Sequence, residues 1–362
     1  MSKKFAVLLL VTALFMYSPP AFSQDSDIEV DPPSPEFLEW LENPDSFSGG
    51  IIPSPVDNSN SWKNPPRPRE NFSVKNILPA KYDLRDYNRV PAIRNQNPWG
   101  TCWSFASLAS IESTFMTLYP DNQNIDLSEM FLAYFAYGDK RDGKSYSLYY
   151  KNKDILHQGG NYYQATALLA RLGTLNENIL PYPTLKDSYT EPDKLPEEYE
   201  KAGIRLKESY EIGLLSGDKI IEIVKNLIIN NGAIYAAYYS DPIEYGYYTP
   251  AKSVVNGVYT TSYFNNQTDD KGKPLASNHA ISIIGWDDNF SRNNFGTMKP
   301  EKDGAWLVRN SWGDWLDNGG YFWMSYKQHV TDGTAFVVEE ANKDMKAYYY
   351  DALGWTGTGG FQ

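Results

Sequence analysis

A single cysteine, Cys102, occurs in the 362 residues, inside Gln96-Asn97-Pro98-Trp99-Gly100-Thr101-Cys102-Trp103-Ser104-Phe105-Ala106. One thiol cannot form an intrachain disulfide. It reads either as a buried small hydrophobe, as most free cysteines are, or as a nucleophile. Gly100 closes a turn, and from Cys102 onward Phe105, Leu108, Ala109, Ile111, Phe115 and Met116 recur at helical spacing. That spacing predicts the sulfur at a helix N-terminus, where unpaired amides and the dipole favour the nucleophilic thiolate. Such a nucleophile needs a base, and the chain has three histidines. His279 opens the apolar run His279-Ala280-Ile281-Ser282-Ile283-Ile284-Gly285-Trp286, a strand start from which a side chain can project into a crevice. His157, before Gln158-Gly159-Gly160, and His329, in a polar stretch, are expected at the surface. A third group that orients the imidazole completes such a set. Asn310, in Trp306-Leu307-Val308-Arg309-Asn310-Ser311-Trp312-Gly313, stands at the end of the next strand. A neutral amide holds a histidine without neutralising an imidazolium–thiolate pair, and Trp312 would shield that bond from water.

The elements that must position these groups are read from periodicity. Helices are expected over 102–118, 127–137, 163–172 and 219–229. Short strands follow at 233–239, 257–261, 279–286, 305–310, 321–326 and 335–339, separated by Gly, Asn and Asp turns. Helices first and strands second predict an α+β arrangement of two lobes, with the site in the crevice between them.

The N-terminus adds a compartment. Lys3 and Lys4, the apolar run Phe5 to Tyr17, Pro19-Pro20 and Ala21-Phe22-Ser23 read as a secretory signal over 1–23. No run approaches the roughly 20 apolar residues of a membrane span. A soluble protein, secreted or in the cell envelope, is predicted, and in that setting a lone thiol suggests a reactive one. The net charge is −12; residues 1–60 hold two lysines and nine acids, and no basic patch offers nucleic acid a footprint. Residues 24–76, rich in Pro, Asp, Glu and Ser, are expected to be mostly disordered, with one short helix over Glu36 to Leu41. This segment reads as a flexible leader or as a pro-segment that covers a cleft.

Taken together, Gln96 to Ala106, Asn278-His279-Ala280 and Asn310-Ser311-Trp312-Gly313 resemble the three active-site blocks of the papain-like cysteine peptidases. Tyr82-Asp83-Leu84-Arg85 resembles that family's mature N-terminal segment, Leu127-Ser128-Glu129 its second helix, and Gly159-Gly160 with Leu168 its substrate-binding glycines and third helix. Pro181-Tyr182 and Gly319-Gly320-Tyr321 fit as well. The resemblance implies a peptidase domain over 77–340, with a helical N-terminal lobe and a β-barrel-like C-terminal lobe. It further implies that Cys102 attacks the scissile carbonyl, His279 shares its proton and Asn310 orients His279. Gln96 would donate to the oxyanion together with the Cys102 amide. Gly159 and Gly160 would pair with the substrate backbone, and Ala237 and Asn278 would line a pocket for an apolar P2 side chain. Protein or peptide substrates, inhibition by the chain's own pro-segment, and chemistry without metal or organic cofactor belong to the same implication.

The departures are equally specific. Trp99 replaces the first cysteine of the family's C-G-[SA]-C-[WY], so the neighbouring disulfide is missing. His279 follows Cys102 by 177 positions and Asn310 by 208, beyond the roughly 130 to 150 of the pattern. Insertions are expected as surface loops at Gly138 to Lys153 and Tyr245 to Ser277. The helical motif of many family pro-segments is absent. The tail, 341–362, resembles the opening of a lectin-like module but is too short to build a sugar-binding domain. Two rivals remain. A transglutaminase-like acyltransferase also places Cys-Trp-x-Phe at a helix start, but expects an earlier histidine and an aspartate. A catalytically silent binding protein on the same fold would be marked by loss of Cys102, His279 or Gln96, and all three are present.

Overall fold

The computed structural model describes residues 32–43, 50–57, 77–121, 123–137, 155–183, 203–255, 258–314 and 319–341. The expected signal, the insertion over 138–153 and the tail beyond 341 lie outside the described residues. In chain order the elements are α1 (Pro35–Glu42), β1 (Lys81–Asp83), α2 (Cys102–Leu118), α3 (Glu129–Tyr137), α4 (Tyr162–Arg171), β2 (Ile204–Gly213) and α5 (Asp218–Asn231). They are followed by β3 (Ile234–Tyr238), β4 (Tyr248–Val255), β5 (Val258–Tyr263), β6 (His279–Asp287), β7 (Ala305–Arg309), β8 (Tyr321–Ser325) and β9 (Val330–Glu340). No helix among the described residues is long and apolar enough to cross a membrane.

The 17-residue α2 has no solvent face over most of its length: every side chain from Cys102 to Met116 is buried. On one side Phe105, Leu108, Ile111 and Phe115 join Phe131 and Phe135 of α3 and Leu168 and Leu169 of α4 in a first core. The opposite side meets the sheet through small polar residues. Ser110 donates to Ser282 Oγ at 3.3 Å, Ser282 donates to the Ala106 carbonyl at 3.1 Å, and Thr114 donates to the Phe336 carbonyl at 3.2 Å. Ser104 reaches in another direction, donating to the Glu129 carbonyl of α3 at 2.9 Å. Serines at 104, 107, 110 and 113, three apart, repeat on the helix surface. Their short side chains allow close approach, and three of the four find hydrogen-bond partners inside.

The strands form one mixed sheet in the order β2-β9-β3-β6-β7-β8-β5-β4, with β1 pairing onto β6. Neighbours are antiparallel except β5 and β8. Eight consecutive buried residues in β6 mark a strand covered on both faces, which is why its sequence is an apolar run without alternation. A second core gathers Val224, Leu227 and Ile228 of α5 with Ile281, Ile283, Trp286, Trp306 and Phe322 of the sheet. The α+β expectation therefore holds: helices α2 to α4 share the first core with Tyr235, Ala280, Phe336 and Val338 of the sheet, and α5 packs on the strands in the second.

Helix ends fall within two residues of expectation, and most strands within two. Three expectations are corrected. Strand β2 was not foreseen; it pairs with β9 at the sheet's edge, and its half-exposed, charged Arg205, Lys207, Glu208 and Glu211 hide the alternation that marks a strand. Strand β9 begins five residues early, at Val330, and passes through Asp332 at φ 58. The stretch Tyr245 to Ser277, expected as a surface loop, contains the β4–β5 pair, with Tyr248 and Tyr263 buried. Of the leader, residues 32–43 and 50–57 are described, and α1 forms where the short helix was expected. Ser34 caps α1 from its side chain, and Phe37 and Trp40 are buried in the first core.

Gly232, between α5 and β3, sits at φ 120, and a Cβ there would lie 2.8 Å from the Ser113 carbonyl of α2. Gly232→Ala is expected to lower stability by about 1 to 3 kcal/mol, combining backbone strain with a clash against a helix that cannot move. Urea unfolding monitored by tryptophan fluorescence would measure it.

Candidate active site

The loop that leads into α2 is held by a buried arginine. Arg94 bonds Glu112 of α2 and Glu129 of α3, each at 2.7 Å, and also pairs with Asp126. The next residues lie along the chain that follows β7: Gln96 N–H donates to the Ser311 carbonyl at 2.8 Å, and Gly313 N–H to the Arg94 carbonyl at 3.1 Å. Gln96 is itself buried. Its Oε1 accepts from Ser311 Oγ at 2.6 Å, and its Nε2 donates to the Trp99 carbonyl at 2.9 Å. One amide hydrogen of Gln96 is thus engaged, and a side-chain amide carries two. Tyr182 closes the loop: its hydroxyl donates to the Gln96 carbonyl at 3.0 Å and lies 2.5 Å from Thr101 Oγ1. Its ring packs edge-on against Trp99 and Phe105. Trp99, the residue in the missing cysteine's place, is therefore tied to this loop by aromatic contact instead of a covalent bond.

Cys102 is the first residue of α2, as its spacing predicts, and is 1% exposed. The backbone amides of Ala280, Trp103 and Cys102 itself are directed at the sulfur, which brings it beside the first residues of β6. His279 opens that strand opposite Tyr238 of β3. Its Nε2 lies 2.8 Å from Asn310 Oδ1, which also accepts the Ser311 amide at 2.8 Å. A carbonyl oxygen can only accept, so Nε2 carries the hydrogen and Nδ1 is the nitrogen left for a proton exchange. Trp312 stacks on the imidazole at 4.4 Å between centroids, the shielding position expected for it. His157 is exposed, as expected. His329 is half-buried rather than at the surface, under the field of Glu36 of α1. Neither joins the group.

The cleft beside these residues is filled by the chain's own leader. After α1 the segment returns, with Pro33 bridged to Val56, and runs past the sulfur. Gly50 N–H donates to the Asn278 carbonyl at 3.2 Å, Ile52 N–H to the Gly160 carbonyl at 2.9 Å, and Asn161 Nδ2 to the Pro53 carbonyl at 3.2 Å. Ile51 and Ile52 are buried in the first core. A Cβ on Gly50 would come within 2.6 Å of Cys102 Sγ and 3.0 Å of the Gly100 carbonyl, and one on Gly159 within 3.3 Å of the Gly50 backbone. Only bare backbone fits at this crossing.

Each residue expected to bind substrate has a definite position. Gly159 faces the leader's backbone, whereas Gly160 lacks a side chain because Trp103 is in the way, its ring 2.3 Å from the Cβ position. The Gly160 carbonyl is the group that pairs with the leader. Asn278 contributes its main-chain carbonyl; its side chain turns away and exchanges bonds of 2.7 and 3.1 Å with the Ser240 backbone. Ala237 lies on β3 opposite Ala280 and is fully buried. Sequence reasoning missed Gly50, Tyr182 and Ser311. Gly50 could have been suspected only from the Gly49-Gly50 pair, and the other two act through contacts 80 or more residues distant.

Burial dominates the electrostatics. It pushes the Cys102 thiol up to about 12 against the opposing amides, and the His279 imidazole down to about 4 against the Asn310 bond. For the thiol this amounts to about 4 kcal/mol against the thiolate, more than the 0.3 to 1 kcal/mol a helix terminus typically contributes. In the covered cleft burial thus works against both charged forms, opposing the preference for thiolate that the helix terminus alone would give.

The profile of the papain family cysteine protease matches residues 78–341. Fruit bromelain of Ananas comosus is 25% identical over 262 residues, covering 71% of this chain and 58% of its own. The cysteine protease and lectin-like domains of Cwp84, a surface layer associated protein of Clostridium difficile, share 25% identity at a TM-score of 0.64, covering 90% of this chain and 64% of that one. The clostridial Cwp84 protease after propeptide cleavage is 27% identical at a TM-score of 0.56, covering 74% and 60%. This chain therefore spans about three fifths of the length of these relatives. With the family's profile extending over most of the sequence and the two-lobed fold matching its solved members, the chain belongs to the papain family of cysteine proteases.

Proposed function

We propose that this protein is an exported cysteine peptidase, made as a zymogen, that hydrolyses peptide bonds of proteins through a thioester acyl-enzyme. The observation that carries the reading is the bonded His279–Asn310 pair beside Cys102, in a cleft already threaded by a peptide backbone. Export rests on the N-terminal signal pattern and on the similarity to Cwp84, a surface layer associated protein.

In the open cleft, burial is relieved, so the thiol pKa falls and the imidazole pKa rises toward the ion pair. Nδ1 of His279 takes the Cys102 proton as the sulfur attacks the scissile carbonyl. The oxyanion receives the Cys102 amide and the second hydrogen of Gln96 Nε2, whose carbonyl oxygen is clamped by Ser311. Collapse of the adduct expels the amine, which leaves with the proton held on Nδ1, and the acyl group stays on sulfur. Water, deprotonated by the same nitrogen, then attacks the thioester and the carboxylate departs. Asn310 keeps Nε2–H engaged throughout, so Nδ1 remains the exchanging nitrogen. The Gly160 and Asn278 carbonyls, occupied here by leader amides, are the acceptors an extended substrate would use. Ile51 and Ile52, buried beside them, are consistent with an apolar preference next to the cleaved bond.

The leader supplies the zymogen's inhibition in this reading, and cleavage of Cwp84's propeptide is a parallel in a related protein. Cys102→Ala is expected to abolish peptide hydrolysis and labelling by a thiol-directed epoxide; labelling that persists would remove Cys102 as the nucleophile. Gln96→Ala is expected to lower kcat about 100- to 1,000-fold, the effect of losing one oxyanion donor, and unchanged turnover would refute that role. Gly50→Ala, whose methyl group collides with Sγ, is expected to loosen the leader, so the uncut chain reacts with the epoxide faster than wild type. Equal or slower labelling by mass spectrometry would show that the leader does not control access.

A further inference from the structure

Catalysis by this site needs an imidazole whose plane stays fixed while its proton comes and goes. Asn310 fixes one nitrogen but leaves the ring free to swing about that bond. What holds the plane is a closed circuit of four rings. Trp312 stacks on His279 at 4.4 Å and 29°. Tyr238, the β3 partner of His279, presents its ring at 5.9 Å and 68°. Tyr248 meets Trp312 at 6.3 Å and 64°, and its hydroxyl bonds the hydroxyl of Tyr238. The circuit thus runs from His279 through Trp312, Tyr248 and Tyr238 back to His279.

Tyr248 is the member of the circuit furthest from the catalytic residues along the fold, reaching His279 only through Trp312 and Tyr238. It lies at the start of β4. It is 2% exposed. Its ring packs at a tilt on Tyr263, 4.4 Å between centroids, and its hydroxyl also lies 2.7 Å from Ser240 Oγ. Tyr263 is anchored in turn by Asp241 at 2.7 Å, and Asp241 by Asn265 at 2.7 Å. Burial raises the phenol of each of the three tyrosines, so they act as neutral hydroxyls and not as acids. Aromatic pairs of this geometry contribute about 0.5 to 1.5 kcal/mol each beyond the area they bury, enough to bias the orientation of a half-exposed tryptophan.

We infer that Tyr248 is a positioning residue for catalysis: by packing on Trp312 and bonding Tyr238, it locks the two rings that hold His279 in its working plane. The β4–β5 pair is then a brace of the catalytic histidine and not a surface appendage. This rests on His279 being the base.

The test uses the full chain activated by limited proteolysis, with competent sites titrated by a thiol-directed epoxide and turnover expressed per titrated site. Tyr248→Ala is expected to lower kcat about 10- to 100-fold, the scale of a misaligned catalytic group. KM should stay within about threefold, because the residue acts through His279 and not on substrate. Tyr248→Phe keeps the ring contact and should recover most of the lost rate. Tyr248→Leu serves if the alanine variant does not fold, with the melting temperature recorded for each. Turnover per titrated site unchanged in the alanine or leucine variant, a loss confined to KM, or no recovery with phenylalanine would each overturn the inference. Wild type that fails to label at Cys102 would instead overturn the assignment of the site, and this inference with it.

Discussion

Much of the structure follows from one constraint: α2 is buried over most of its length and begins at Cys102. Its apolar residues face the core shared with α3 and α4, while Ser110 and Thr114 meet the sheet and Ser104 bonds α3. A helix so enclosed cannot shift without disturbing both cores. Cys102 therefore occupies a fixed point where the lobes meet, beside Ala280 and the first turn of β6. Burying serines rather than larger residues keeps helix and sheet close, and hydrogen bonds offset the cost of desolvating their hydroxyls. Arg94 extends this rigidity to the preceding loop by joining Glu112 of α2 to Glu129 of α3, so Gln96 arrives at a defined place.

The same burial that fixes the sulfur also opposes its ionisation. With Gly50 laid over Sγ, desolvation outweighs the helix terminus and the amides at the thiol, and burial lowers the His279 imidazole as well. In the proposed zymogen, inhibition would come from this steric cover and burial together. Glycines make the cover possible: Gly50 at the sulfur and Gly159 beneath the leader bring backbone to backbone at distances no side chain would permit. The anchors of the leader lie elsewhere, in Phe37 and Trp40 on the first core. A segment held by apolar side chains and crossing the sulfur as bare backbone can be tight in binding and still offer no bulk at the nucleophile.

The absence of disulfides is met by aromatic contact. Tyr182 ties Trp99, Phe105, Thr101 and Gln96 together through two ring contacts and two hydroxyl bonds. Across the cleft, Tyr238, Tyr248 and Tyr263 pack on one another edge-on and tilted, next to the stacked pair of Trp312 and His279. Aromatic residues are numerous in this chain, and the site is where many of them converge.

The sequence by itself determined the residue types of the candidate site, the local elements that carry them and their order along the chain. A lone cysteine at a helix start, a histidine opening an apolar strand and an asparagine closing the next are local patterns. They depend on periodicity and residue type within ten or so positions, so they could be read without coordinates, as could the α+β succession. Only the tertiary structure decided what depends on distant contacts. The serines of α2 are polar by sequence but interior in the fold, Ser104 bonding α3, Ser110 the sheet and Ser113 the Arg89 carbonyl. Strand β2 carries too many charges to show its alternation, and exists because β9 offers an edge. Gly160 pairs through its carbonyl but is glycine on account of Trp103, and Asn278 lends its backbone while its side chain serves Ser240. The protonation of Cys102 was the furthest from reach. A helix terminus alone favours the thiolate, but the leader, 52 residues upstream, removes the water on which a thiolate depends.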